Sequence, residues 1–102
     1  MALDFAVLTD DETAADFVSL GMQQHDRLMS LALELQLPAL LRFNDYCEEV
    51  DVMPADLPAL SEELHILSKS AAPCDLTRFA LDLRALIALA ARRGKALMTV
   101  PD

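Results

Sequence analysis

Apolar and polar positions alternate at the start of the chain. Leu3, Phe5 and Val7 fall on one side of residues 3–9 at a period of two, which predicts a strand packed on one face. Residues 10–13 are polar turn formers, and a second short run, 16–20, ends at Gly21. A β-hairpin is the economical reading. A helix over residues 12–20 competes with its second strand, because Ala14, Ala15, Phe17 and Val18 tolerate either state.

From residue 22 the period becomes helical. Leu28, Leu31, Ala32 and Leu35 recur at spacings of three and four, with Met22, His25 and Met29 on an adjoining stripe. This predicts a helix over 22–37, halted by Pro38, which can itself open a short turn through Leu40, Leu41 and Phe43. Residues 44–51 show no clear period and read as a connection, partly helical, with Tyr46 packed and its hydroxyl near water. Pro54 and Pro58 frame the next helix start, with Asp56 as its N-cap. Leu57, Leu60, Leu64 and Leu67 supply that helix's seam, Glu62 and Glu63 point outward, and residues 68–73 close it.

The last helix is the clearest element. Asp75 caps it, and Leu76, Phe79, Ala80, Leu83, Leu86, Ile87 and Ala90 form one face. Gly94 stands at the C′ position, and Arg92, Arg93 and Lys95 complement the negative end of the dipole. Residues 96–100 then read as a strand beside the hairpin, stopped by Pro101. The expected fold is α+β, in the order β-β-α-α-α-β: three helices packed on one face of a small three-stranded antiparallel sheet. An all-α bundle with frayed ends is the alternative.

Length and composition fit a single domain over residues 1–102. An apolar share of 54% and a charged share of 25% argue against intrinsic disorder. No apolar run approaches the ~20 residues of a membrane span, and the start lacks the pattern of a signal peptide, so cytoplasm is the expected compartment. Cys47 and Cys74 lie far apart with no CxxC or Cys/His spacing, which suits free thiols. Four scattered residues, these two with His25 and His65, make a poor zinc site, so no metal or other cofactor is expected.

Charge changes the picture most. Residues 1–63 hold 14 acids against Arg27 and Arg42, while residues 64–102 hold three acids against six bases, giving −9 for the whole. From Asp45 to Glu63 there are seven acids and no base. Such a surface repels nucleic acid and anionic membrane, and steers cationic proteins toward it. Solubility alone is the plainer account of the same charge.

Catalytic motifs are scarce. Gly21 and Gly94 are the only glycines, which excludes glycine-rich phosphate loops. Ser61 and His65 form an i,i+4 pair without a nucleophile elbow and read as surface neighbours. His25 and Asp26 are adjacent helix residues that do not face each other, so His25 reads as a partly buried histidine bonded to backbone. Acidic neighbours raise the thiol pKa of Cys47 and weaken it as a nucleophile. The five methionines form no stripe and read as core gap-fillers. The acidic run lacks the alternating oxygens and central glycine of an EF-hand.

Residues 25–32 (HDRLMSLA) and 37–46 (LPALLRFNDY) resemble the middle of a small bacterial family of hypothetical proteins. Size, acidity and lack of catalytic residues also resemble, in type, bacterial immunity proteins, which neutralise toxins by binding them. The resemblance implies a non-enzymatic protein-binding module for a cationic partner, in its sharpest form a basic toxin domain. No residue is carried over from that resemblance; the clustering of acids itself makes Asp45, Glu48, Glu49, Asp51, Glu62 and Glu63 the expected contact residues, with Phe43 and Tyr46 beside them as aromatic anchors. The alternative is an assembly adaptor that self-associates through helix faces, a homodimer included. A small hydrolase or isomerase using His25 or Cys47 ranks third.

Overall fold

The computed structural model describes residues 2–8, 14–44, 49–70 and 74–101. Strands β1 (Ala2–Leu8) and β2 (Ala14–Gly21) form the hairpin. Helix α1 (Met22–Glu34) follows directly, then α2 (Pro38–Leu41) and strand β3 (Val50–Val52). A 3-10 turn, Pro54–Asp56, leads into α3 (Leu57–Lys69); α4 (Cys74–Arg93) and β4 (Leu97–Pro101) complete the chain.

The fold is α+β, and the sheet is antiparallel with four strands in the order β2-β1-β4-β3. Two expectations need correction. The sheet has a fourth strand, β3, where a connection was expected, and it pairs with β4 through Val50↔Thr99 and Val52↔Leu97. There are four α-helices among the described residues, because α1 ends at Glu34 and the turn at Pro38 is a helix in its own right. Asp45, Tyr46, Cys47 and Glu48, the middle of the expected connection, lie outside the described residues.

Period-two patterning sets the faces of the sheet. Leu3, Phe5 and Val7 are buried, and so are Leu20, Leu97, Thr99 and Val52 on the same face of neighbouring strands. Phe5 is central: its ring meets Phe43 edge-on at 5.1 Å and Phe79 at 5.5 Å. The seven apolar positions expected on one face of α4 are all buried, as are the four of α3. Among the methionines, Met22 and Met53 are exposed, contrary to a core role. Thr99 carries a buried hydroxyl with no hydrogen-bond partner among the described residues.

The turns out of α1 and α4 use the same backbone device. Leu37 N–H reaches Ala32 O at 2.8 Å with Gln36 left-handed (φ 58), and Lys95 N–H reaches Ala90 O at 3.0 Å with Gly94 left-handed (φ 64). These are Schellman-type ends, which satisfy carbonyls that the helix itself leaves open.

Candidate functional site

The structure divides the eight expected contact residues. Phe43 is 1% exposed and packs on Phe5, so it cannot serve as an interfacial anchor. The apolar ring was drawn inside because the turn after α2 returns the chain under the sheet, where its area is worth most.

Glu63 is also inside, and the expectation that it points outward is overturned. Its Oε2 accepts Ala39 N–H at 2.8 Å and its Oε1 accepts Leu40 N–H at 2.9 Å. The reason lies in α2, a helix of four residues. Pro38 at its first position has no N–H to satisfy, Leu41 N–H reaches Leu37 O, and the two amides between need an acceptor. A carboxylate with both oxygens engaged is a strong one, and it offsets the cost of burying its charge.

His25 lies in the same corner. It is buried, and its Nε2 stands 2.6 Å from Phe43 O. A carbonyl only accepts, so Nε2 carries the proton and donates. The ring ties α1 to the chain beyond α2, as expected of a histidine bonded to backbone.

Glu49, Asp51 and Glu62 are exposed. Glu49 directly precedes β3, and Asp51 is the middle residue of this edge strand. Its register partner is Met98, which places the Asp51 side chain on the sheet face opposite the helices. Glu62 stands on the solvent side of α3, a separate element. Among the described residues none of the three has an ion-pair partner. Asp45, Tyr46 and Glu48 lie outside the described residues.

One base missed by reading the run from Asp45 onward sits against it. Arg42 Nη1 lies 3.7 Å from Asp56, and its Nη2 donates to Asp51 O at 3.3 Å. Sequence position hid this contact, because Arg42 precedes the acidic run and meets it only through the turn after α2. Asp56 precedes α3 without a side-chain capping bond, so its expected N-cap role is filled by position only.

Asp75 was expected to cap α4, but the helix begins at Cys74, so this acid stands inside the first turn instead. Its Oδ1 accepts Leu76 N–H in the first turn of α4, while Gln24 Nε2 and Arg27 Nη2 donate to its Oδ2 at 3.3 and 2.6 Å. The Gln24 hydrogen bond, and next the Arg27 charge, hold its carboxyl below the ordinary 3.8. Cys74, beside it, is a free, exposed thiol.

Among the described residues, no helix is long and apolar enough to cross a membrane, and no three His, Cys, Asp or Glu side chains gather where they could hold a metal. Comparison with protein-family models, with curated proteins and with solved structures gives no match.

Proposed function

We propose that the chain is a non-enzymatic binding module that receives a cationic protein on the side presented by β3 and Glu49, which directly precedes it. In its sharpest form it is an inhibitor of the immunity-protein type, acting on a basic toxin domain. The observation that carries this reading is the state of Glu49 and Asp51: exposed carboxylates, one just before and one within a short edge strand, without a basic side chain paired to either among the described residues. Unpaired surface carboxylates add little to folding and raise the local negative potential, which accelerates encounter with a cationic patch. With Phe43 and Glu63 inside, the described part of the surface reduces to Glu49, Asp51 and Glu62.

Capture of partners at low and high salt tests it, with wild type and with Glu49→Gln, Asp51→Asn and Glu62→Gln combined. The expected result is a basic protein held by wild type at low salt, released by salt and lost from the triple variant. The same proteins bound by both chains, or binding indifferent to salt, would overturn the reading.

Self-association through helix faces is the second reading, favoured by exposed Leu33 on α1, Ile66 on α3 and Leu81 on α4. It requires a solution mass that rises with concentration and falls back when Leu33 and Leu81 are changed to Glu.

A further inference from the structure

A groove of 480 Å³ runs along the outside of the α3–α4 pair, lined among others by Pro54, Leu57, Pro58, Ile87, Ala88 and Ala91. Alanines on α4 keep it open: Ala85, Ala88 and Ala91 all face it, and each is exposed. Arg84 lies in the same groove, half-buried, and it is the one cation among the described lining residues. Its Nε donates to Ser61 Oγ at 3.4 Å and its Nη1 to His65 Nδ1 at 3.3 Å. Arginine cannot accept, so Nδ1 is the acceptor and the proton of His65 sits on Nε2.

Both contacts are long and both acceptors are neutral. No carboxylate pairs with Arg84 among the described residues, in a chain with more than twice as many acids as bases. Arg27, Arg42 and Arg78 each have one. The guanidinium is therefore oriented by Ser61 and His65, with N–H donors left over, beside apolar walls. Mostly apolar walls with one placed charge, in a volume of roughly 300–1,000 Å³, is the pattern of a small-molecule site.

We propose that this groove binds a small amphipathic carboxylate, with its head on Arg84 and its apolar body along Leu57, Ile87, Ala88 and Ala91. The single guanidinium among the described lining residues selects the class of head group. One carboxylate can pair with it directly, while a polyanion would leave charge unpaired against apolar walls. This site is independent of the acidic side around β3.

The test is titration of the full chain with octanoate and, separately, with octanol, following backbone amide shifts. Octanoate should produce saturable shifts at Ser61, Arg84, Ala88 and Ala91, and bind at least about tenfold more tightly than octanol, as a charge-assisted pair requires. Arg84→Met should bring octanoate down to the affinity of octanol. Ala88→Trp, a change at an exposed wall position that leaves the helix pairing intact, should block both. Absence of saturable octanoate binding, equal affinity for the two compounds in wild type, or undiminished octanoate binding by either variant would overturn the proposal.

Discussion

The first turns of α2 and α4 are each served by a carboxylate, and the two differ in where it comes from and how much water surrounds it. Asp75 is part of α4 itself, and its side chain is 37% exposed. Glu63 comes from another helix, 24 residues beyond the amide of Ala39 that it accepts, and is 9% exposed. An acid placed at a helix start by its own chain position can be read from spacing. An acid delivered from a neighbouring helix looks, in the sequence, like any exposed glutamate next to another one. The energetic consequence runs the same way, because hydrogen bonds to a buried charge are costly to leave unmade and exposed ion pairs contribute little.

The largest expected effect is therefore at Glu63. Glu63→Ala leaves two amides of α2 without an acceptor and should lower stability by about 2–4 kcal/mol, read from urea unfolding. Glu62→Ala, one residue away and exposed, should stay within about 0.5 kcal/mol of wild type. Equal effects would erase the distinction.

At the other ends of helices, the contrast between Gln36 and Gly94 is next in size. Both residues are left-handed, and a Cβ added at Gly94 would meet nothing within 4 Å. Gly94→Ala should thus cost about 1 kcal/mol from backbone strain alone, while Gln36→Gly should relieve strain and raise stability by up to about 1 kcal/mol. Thermal midpoints moving in opposite directions check the pair; a shared direction would show that side-chain contacts dominate one of them.

The smallest effect belongs to Asp75. Its folded carboxyl titrates below the ordinary 3.8, so its contribution is present above that value and fades as pH falls through the folded value. On acidification below about pH 4, wild type should lose slightly more stability than Asp75→Asn does. Parallel pH profiles for the two chains would show that Gln24 and Arg27 add nothing to folding.

Legibility in the sequence followed the range of the interactions. The buried face of α4 was readable in full because seven apolar residues repeat at helical spacing within one element. The sides of β1 were readable for the same reason at a period of two. β3 was not: Val50, Asp51 and Val52 are too few to establish a period, and the strand exists because β4, 45 residues later or more, supplies its ladder. Of the candidate contact residues, those whose direction depends on their own element, such as Glu62, were placed correctly. Phe43 and Glu63 were misplaced because their direction is decided by the packing of α2 against α3 and the sheet. The Arg84 contacts with Ser61 and His65 were equally hidden, since they cross between two helices.

Amide hydrogen exchange at Ala39 and Leu40 tests most directly whether Glu63 is a structural clamp withdrawn from the acidic surface. In wild type both amides should be protected nearly as well as the interior of α4, although α2 is only four residues long and would fray on its own. In Glu63→Gln one of the two should lose protection, since one of the two carboxylate acceptors becomes a donor amide, and in Glu63→Ala both should, while Gly94 and Lys95 keep theirs in each variant. Rapid exchange of Ala39 and Leu40 in wild type would mean that the glutamate does not hold them, and would return Glu63 to the acidic surface.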